Sequence, residues 1–516
     1  MKTRRQKGDR RRSSANAAGF ISIVLCFLAA AAVMSLAIAY FYRTGTTLYF
    51  GDAEAHLDIA RRIVDSRTPG WSQIGTTWLP LPHLLMVPLV RNDWMWRTGL
   101  GGAIVSGICM TVATGFLFAA VDRIFANTMA ASVAAAVFLL NPNTLYLGSI
   151  PMTEPVFFAS LFGLVYFTVQ FRETRGWGSL LCAALAALAG TLTRYEAWFL
   201  LPFAAIYIWI GAGKKRWAAA IVFCIISGAG PLLWLAHNRW YYGDPLYFYR
   251  GPYSAIAIQG NGGYPGRGDW RVAAQYFLAA GQAVAGWPAL IIGGAGVLIA
   301  LARRVVWPLF LLALPPVFYI WAIHSSGVPI YVPALWPHTL YNTRYGLAFL
   351  PLTALGAAAL ARQFAKPVAI AIVLLALSPF LIHPPGDSVT WRESEVNSRV
   401  RRQWISQAAA YLAASSGSHE TFITNFGELT PIFRTIGVPI HETLTGDNDL
   451  EWNAAMARPD LFLHADWAVV ESGDAIQTML DKARLHGPRY ELRQRVTVKG
   501  GPVIEIYKRA YENPLR

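Results

Sequence analysis

The sequence predicts an α-helical polytopic membrane protein with a C-terminal soluble α/β domain. Of its 516 residues, 55% are hydrophobic and only 14% are charged, a composition typical of membrane proteins rather than soluble enzymes. Apolar runs long enough to cross a bilayer, about 17 to 25 residues each, recur from Gly19 to His383. From Pro384 to Arg516 charged residues become frequent, and short alternating segments such as TFITNF and VIEIYKR predict strands.

About eleven transmembrane helices are predicted between a basic tail at 1–18 and the soluble domain at 384–516. The segment 75–89 is apolar but contains three prolines, so we expect a short or re-entrant segment in the external loop 43–94. A cleavable signal peptide ending near AIA at 37–39 is the alternative for the first span, although its apolar run is longer than a usual signal core. The predicted spans are 19–42, 95–120, 128–148, 155–171, 178–193, 197–212, 217–236, 283–301, 305–323, 343–361 and 367–383.

Basic residues orient these spans, because Lys and Arg in short loops are retained on the cytoplasmic side. The N-terminal MKTRRQKGDRRR is therefore predicted to be a cytoplasmic segment that sets the topology. No nucleic-acid partner is expected. An odd number of spans then places residues 384–516 outside, so we expect a multi-pass inner-membrane protein with a periplasmic C-terminal domain. The predicted inner loops are all basic, with Arg123, Arg172, Arg175, GKKR at 213–216, Arg303, Arg304, Arg362 and Lys366.

The external loop opens with a concentration of ionisable residues, GDAEAH at 51–56. At 100° per residue the stretch predicts an interfacial amphipathic helix, with Glu54 on its polar face. Asp52 and His56 project with the apolar residues, toward the membrane core or a cavity. An acid aimed that way needs a partner or a chemical task. Helix capping by Asp52 is the alternative, and capping does not exclude catalysis.

Other ionisable residues gather at the outer ends of later spans. Glu154, in TEP, begins the fourth span, where a first-turn acid also complements the helix dipole. Arg194, Arg239 and Arg344 face outside, against the positive-inside trend, and a guanidinium suits phosphate because it donates paired charge-assisted hydrogen bonds. Each arginine alone is explained equally well by a neighbouring acid, as in the pairs of Arg194 with Glu196 and Arg239 with Asp244.

An acid directly after the first span, followed by an interfacial helix, resembles the GT-C superfamily of polyprenyl-phosphate-dependent glycosyltransferases. That superfamily includes protein O-mannosyltransferases and the lipid A aminoarabinose transferase. The resemblance rests on GDAEAH and TEP and covers residues 19–383. It implies an integral membrane enzyme that moves a sugar from a polyprenyl-phosphate donor to an external glycan, lipid or protein acceptor. Asp52 would match the first-loop acid and Glu154 the second-loop acid, although many members have adjacent acids where this chain has Asp-Ala-Glu.

The chemistry implied by the resemblance needs a base for the acceptor hydroxyl and cations for the departing phosphate. Asp52 is the expected base and Glu154 the residue that orients hydroxyl groups, and one displacement predicts inversion at the anomeric carbon. No cofactor is expected, although the histidines leave a divalent metal open. The expected substrate-binding residues are Glu54, His56, Arg194, Glu196, Arg239, His338, Arg344 and Tyr345.

A transporter or flippase of a lipid-linked phosphate is the alternative class, because external arginines in a polytopic protein also suit carriage of an anion. The enzyme is favoured because the ionisable residues gather at one face and no inverted repeat is visible. A purely structural anchor would leave those residues without a role. The glycine-rich segment 249–270 lacks a nucleotide-binding pattern and predicts a flexible external loop.

Overall fold

The computed structural model describes residues 2–260, 262–381 and 387–510, with side chains from residue 19 onward. The predicted boundary between the membrane part and the soluble domain, at residues 383 and 384, lies outside the described residues. The side chains of the basic tail, residues 1–18, and residue 261 of the glycine-rich loop also lie outside them.

Helices account for most of the described chain as far as residue 381. The first nine are α1 (Lys2–Arg43), α2 (Gly51–Arg62), α3 (Leu81–Val90), α4 (Asp93–Thr98), α5 (Leu100–Phe125), α6 (Thr128–Leu139), α7 (Pro142–Leu147), α8 (Glu154–Thr174) and α9 (Trp177–Thr191). The next nine are α10 (Tyr195–Gly211), α11 (Arg216–Tyr242), α12 (Tyr247–Arg250), α13 (Ala255–Gln259), α14 (Trp270–Ala285), α15 (Trp287–Ala302), α16 (Val306–Ser325), α17 (Leu350–Ala361) and α18 (Lys366–Leu381).

Within the described residues, each of the eleven predicted spans overlaps one or two apolar helical segments. Six of the spans correspond to long apolar segments. The other five correspond to the shorter apolar helices α6, α9, α10 and α18 and to the pair α14 and α15, which bends by 105°. This arrangement confirms a polytopic helical membrane protein with roughly the predicted number of spans. Within the described residues, six segments are long and apolar enough to cross a membrane alone: Gly19–Arg43, Leu100–Phe125, Glu154–Thr174, Gly213–Tyr242, Val306–Ser325 and Thr343–Ala361.

The predicted spans 95–120 and 128–148 are interrupted where local backbone preferences override the apolar pattern, and the predicted span 283–301 is interrupted at the bend between α14 and α15. The span expected at 95–120 begins only with α5, because Gly99 takes a φ of +80° and ends α4. The span expected at 128–148 breaks after α6, where the Asn141 side chain accepts a hydrogen bond from the Asn143 backbone N–H at 2.9 Å and starts α7. The proline-containing segment 75–89 forms only the ten-residue helix α3.

The described residues divide into two compact units. One contains Met1–Thr44, Thr76–Pro82 and Ala103–Glu393, and the other contains Gly45–Gly75, His83–Gly102 and Ser394–Arg516. The second unit therefore joins the GDAEAH helix α2 to the C-terminal residues, although more than 300 residues separate them in the sequence. This division differs from a linear split at residue 384.

A five-stranded sheet forms the centre of the C-terminal domain, as the alternating segments predicted. Its strands lie in the order β2 (Thr443–Leu444), β1 (Phe422–Thr424), β3 (Trp467–Glu471), β5 (Val503–Ala510) and β4 (Arg489–Thr497). Strand β1 is parallel to β2 and β3, and β5 is antiparallel to β3 and β4. Separate apolar clusters cover the two faces, one around Trp404, Phe422 and Trp467 and one around Ile423 and Met479. The elements are α19 (Val389–Ser415), β1 (Phe422–Thr424), α20 (Thr430–Ile436), β2 (Thr443–Leu444), α21 (Leu450–Ala457), α22 (Pro459–Phe462), β3 (Trp467–Glu471), α23 (Ala475–His486), β4 (Arg489–Thr497) and β5 (Val503–Ala510).

Candidate active site

Glu154 and Arg194 meet in the first unit because each stands where a helix begins. Glu154 is the first residue of α8 and is only 4% exposed, and Arg194 immediately precedes α10. Arg194 Nη1 donates to Glu154 Oε1 at 3.0 Å and to the Thr153 hydroxyl at 2.6 Å. A short TEP segment and the start of TRYEAW thus form one buried ion pair.

The remaining donors of Arg194 hold a second acid and a tyrosine. Its Nε donates to Glu196 Oε1 at 2.7 Å, and its Nη2 donates to the Tyr319 hydroxyl at 2.8 Å. Tyr319, from α16, in turn donates to Glu196. The neighbour pairing of Arg194 with Glu196 that the sequence left open is therefore present, and it coexists with the contact to Glu154.

Arg344 brings a second cation to the same carboxylate. Its Nε lies 3.2 Å from Glu154 Oε1, and its guanidinium lies 5.0 Å from the centre of the Tyr345 ring. The Tyr345 ring stacks on Tyr319 with 4.6 Å between ring centres. Five of the predicted site residues, Glu154, Arg194, Glu196, Arg344 and Tyr345, are thereby brought into one cluster.

The turn that carries Arg344 and Tyr345 is fixed by a buried acid that the sequence analysis missed. Glu393, near the start of α19, accepts hydrogen bonds from the backbone N–H groups of Asn342 and Thr343, both at 2.8 Å, and from the Thr343 hydroxyl at 2.5 Å. Burial raises the pKa of the Glu393 carboxyl, while Arg344 and these hydrogen bonds oppose the rise. Gly346 packs the turn against α14, since a Cβ there would lie 2.4 Å from the Ala280 carbonyl oxygen.

The chemistry of the cluster follows from the two oxygens of Glu154. Both arginines lie against Oε1, whereas no hydrogen-bond donor within the described residues reaches the buried Oε2. A buried acceptor without a donor is unfavourable by about 1–3 kcal/mol. This oxygen is therefore suited to accept a hydrogen bond from a hydroxyl group of a ligand. The arginines are not bare cations, because Glu154 and Glu196 already neutralise much of their charge.

Two predicted binding residues of the first unit stay outside this cluster. Arg239 is exposed near the end of α11 and donates to the Gly243 carbonyl oxygen at 2.7 Å. His338 is also exposed, and its Nδ1 lies 2.9 Å from the Pro333 carbonyl oxygen. The structure therefore does not place either residue with Glu154, and the neighbour expected for Arg239, Asp244, lies 3.9 Å from Arg250 instead.

Asp52 and His56 lie in the second unit, one helical turn apart on α2. Asp52 is the second residue of the helix and is partly buried, while Phe50 occupies the N-cap position without a side-chain cap bond. The alternative in which Asp52 is the N-cap residue is therefore wrong. His56 is buried, and its Nδ1 lies 3.0 Å from Nε2 of the equally buried His83 on α3.

The polar face of α2 is buried, not exposed at a membrane surface as an interfacial helix would have it. Asp58, Arg61 and Arg62 are at most 6% exposed, and Glu54 is 8% exposed. Their partners come from the same unit: Trp96 donates to Asp58 at 2.8 Å, and Arg62 Nη1 donates to Asp447 at 2.5 Å. The periodicity of α2 was predicted correctly, but its polar side contacts protein because charged partners cover it.

Burial changes the protonation of Asp58. Removal from water raises the pKa of its carboxyl to about 6, although Arg434 and the Trp96 hydrogen bond oppose the rise. Because the folded pKa exceeds the ordinary value of 3.8, the folded state binds the proton more tightly. The stability linked to Asp58 is therefore greatest below about pH 4 and is lost as the pH rises through about 6.

We expect Asp58→Asn to remove this pH dependence while keeping an acceptor for Trp96. The neutral amide avoids a buried charge, so the variant should exceed the wild type in stability at pH 8 by on the order of 3 kcal/mol. Thermal melting of both proteins in detergent from pH 4 to pH 8 measures this. A difference between them that stayed constant over that range would show that Asp58 does not titrate there.

No group of three or more His, Cys, Asp or Glu side chains within the described residues is arranged to hold a metal ion. His56 with His83 supplies two nitrogen atoms, fewer than a typical protein site provides. His338, the other histidine considered for a metal, is exposed and lies against the Pro333 carbonyl oxygen. The expectation that the protein needs no cofactor thus stays a prediction.

Comparisons with known proteins agree with this architecture. Residues 96–237 match the family described as dolichyl-phosphate-mannose-protein mannosyltransferase. The crystal structure of ArnT from Cupriavidus metallidurans bound to undecaprenyl phosphate is similar to this chain at 13% identity and a TM-score of 0.53, covering 94% of this chain and 97% of that chain. The apo structure of ArnT from the same organism gives 12% identity and a TM-score of 0.53, covering 88% and 93% respectively. No curated protein sequence matches the chain.

These comparisons confirm the resemblance to GT-C glycosyltransferases that GDAEAH and TEP indicated. The chain has an ArnT-like fold over nearly its whole length, with membrane helices followed by a small sheet domain. The family match covers residues 96–237, and the fold match extends over nearly the whole chain. The sugar, the acceptor and the roles of individual residues remain to be proposed.

Several residues of these clusters escaped the sequence analysis for different reasons. Tyr319 lies within an apolar span and differs from its neighbours only by a hydroxyl, which gives no positional signal. Glu393 could have been found as an acid close after the last span. Arg401 and Arg434, the partners of Glu54, lie in a charged domain where an arginine is unremarkable.

Proposed function

We propose that the protein is an integral membrane glycosyltransferase that moves a sugar from a polyprenyl-phosphate donor to a hydroxyl of an external acceptor. The carrying observation is the buried Glu154, held by two arginines at Oε1 and open at Oε2, at the end of a span in an ArnT-like fold. The crystal structure of ArnT with undecaprenyl phosphate supports a lipid of the same chemical class as the donor. The acceptor is proposed to be a glycan, lipid or protein.

Each proposed role follows from the chemistry of the side chain. Asp52 takes the proton of the acceptor hydroxyl as its oxygen attacks the anomeric carbon. The bond from that carbon to the phosphate oxygen breaks, and the polyprenyl phosphate leaves with the electron pair. Arg344 and Arg194 stabilise the charge that develops on the phosphate. Glu154 Oε2 accepts a hydrogen bond from a hydroxyl of the sugar or of the acceptor.

The arginines must exchange partners for this role, because their charges are already compensated. A phosphate that approaches Arg344 competes with Glu154 Oε1, 3.2 Å away. Binding of the donor is therefore expected to shift Glu154 toward hydroxyl groups as Arg344 turns toward phosphate. A single displacement of this kind inverts the configuration at the anomeric carbon, by the same stereochemical logic that governs inverting glycosidases.

The proposed orientation places the N-terminus in the cytoplasm and the C-terminal domain outside, in the periplasm of a cell with an inner membrane. The basic inner loops support it, because they alternate with the outer loops that carry Glu154, Arg194 and Arg344. A tag at the C-terminus that proved accessible only from the cytoplasm would contradict this orientation.

The wild-type protein in lipid vesicles, supplied with labelled polyprenyl-phosphate sugars and crude envelope acceptor, tests the proposal. We expect transfer of at least one sugar, with the product showing the opposite anomeric configuration to the donor by NMR. Retention of configuration would exclude the single displacement. Movement of labelled lipid phosphate between leaflets, without transfer from any donor, would favour the flippase instead.

A further inference from the structure

Glu54 lies two residues after Asp52 and is held by two arginines from the C-terminal part of the second unit. Arg401 Nη2 lies 2.7 Å from Glu54 Oε2, and Arg434 Nη2 donates to Glu54 Oε1. The side chains are buried, with 10% of Glu54 and 5% of Arg434 exposed. Both carboxylate oxygens are thus engaged within the protein, which makes Glu54 a poor candidate for contact with substrate.

Arg401 also fixes the backbone that leads into α2. Its Nη2 donates to the Tyr49 carbonyl oxygen at 3.1 Å, and a Cβ at Gly51 would lie 2.6 Å from its Nη1. The neighbouring Arg402 guanidinium lies 3.7 Å from the centre of the Tyr49 ring. The glycine of GDAEAH therefore permits a close approach of arginine to the first turn of the helix.

The far end of α2 is held by the same part of the chain. Arg62 Nη1 donates to the Asp447 carboxylate at 2.5 Å, and the Gln73 side chain donates to the Asp447 carbonyl oxygen at 2.9 Å. Because both ends are fixed by directional charge-assisted contacts, the helix has little freedom to rotate about its axis. Rotation is the motion that would redirect Asp52.

Buried ion pairs are weak evidence for stability, because desolvation opposes the attraction between the charges. Their directional geometry instead favours one arrangement over others, and here that arrangement orients the turn that carries Asp52. Exposed pairs in the same domain, such as Arg458 with Asp460, lack this burial and connect only neighbouring residues. The difference separates a positioning contact from an ordinary surface pair.

We propose that Arg434, together with Arg401, is a positioning residue that sets the direction of Asp52 by holding Glu54. The proposal rests on the proposed function, in which Asp52 is the catalytic base. It assigns the C-terminal domain a part in catalysis: the domain orients the first external helix, whether or not it also binds an acceptor.

The Arg434→Gln variant of the full chain in lipid vesicles tests the proposal by kinetics. A misplacement of about 1 Å can lower a rate by about 100-fold, so we expect kcat to fall at least about tenfold. The KM for the donor should stay within about twofold, because no donor-binding group is changed. A kcat within twofold of the wild type would overturn the proposal.

Hydrogen exchange provides a readout that does not depend on activity. In Arg434→Gln, the amides of residues 50–58 should exchange at least about tenfold faster, while those of the sheet keep their wild-type rates. Unchanged exchange in residues 50–58, or faster exchange throughout the domain, would overturn a specific positioning role. If the wild type transfers no sugar, the proposed function fails while the exchange measurement still decides whether Arg434 holds α2.

Two further variants separate positioning from general damage. Arg458→Gln removes a guanidinium of the exposed pair, and both kcat and exchange should stay at wild-type values. Glu54→Gln with Arg434→Gln replaces the pair by two neutral amides that can hydrogen-bond each other, so it should recover part of the kcat lost in Arg434→Gln. A double variant that fell below Arg434→Gln would show that the two residues do not act as a pair.

Discussion

Replacement of Asp52 by Asn is expected to lower sugar transfer by about 10² to 10⁴-fold, the contribution of a general base. The change keeps the size of the side chain and removes its ability to take a proton from the acceptor hydroxyl. Asp52 is partly buried in the first turn of α2 and is not the N-cap residue, so the change leaves the helix start intact. Transfer of labelled sugar by vesicles with equal amounts of folded protein measures the loss.

Asp481→Asn provides the matched control for this change. Asp481 is 63% exposed and forms only a loose pair with Arg484 at 3.5 Å, so its replacement should leave transfer unchanged. Melting temperatures of both variants within a few degrees of the wild type establish that folding is intact. Transfer by a folded Asp52→Asn protein at more than half the wild-type rate would exclude Asp52 as the base.

The sequence predicted much of the Glu154 cluster because its members share one visible property. Glu154, Arg194 and Arg344 all stand at the predicted outer ends of spans, where apolar runs stop and arginines oppose the positive-inside trend. The same criterion also selected Arg239 and His338, which lie exposed. Hydropathy places a residue along the membrane normal, but it does not give its direction around the helix bundle. That direction depends on how neighbouring helices pack.

The environment of α2 was harder to predict for a related reason. Its period was visible, yet periodicity gives the same pattern whether the polar face meets water or buried charges. The decisive partners lie far away in sequence, since 380 residues separate Glu54 from Arg434 and 385 separate Arg62 from Asp447. A local pattern therefore indicated an interfacial helix where the structure has a helix enclosed by its own domain.

The positions of the spans were predictable from local sequence, whereas the breaks within them were not. Apolar length predicted all eleven helical segments, because hydropathy depends mainly on composition within a window. The interruptions at Gly99 and Asn141 depend on one left-handed glycine and one capping side chain. Residues of both types also occur inside uninterrupted helices, so their effect becomes certain only from the backbone geometry.

Replacement of Glu154 by Gln is expected to lower sugar transfer by about 10² to 10³-fold, the loss typical when one preorganised polar contact to a reacting group is removed. The amide cannot balance both Arg194 and Arg344 at 3.0 and 3.2 Å. Arg194 keeps Glu196 at 2.7 Å and its bond to Tyr319, so the cluster should stay folded. Initial rates at several donor concentrations measure the effect, with a lower kcat and a changed KM for the donor.

Glu173→Gln is the control for this prediction, because Glu173 lies at the opposite end of the same helix α8. Its exposed pair with Arg123, at 2.9 Å, is of the surface type that contributes at most about 1 kcal/mol. Loss of transfer in Glu154→Gln alone, with both variants melting near the wild type, would tie the effect to the N-terminal end of α8. Equal activity of the two variants would mean that Glu154 only neutralises its arginines, and the open Oε2 would then have no part in binding a hydroxyl.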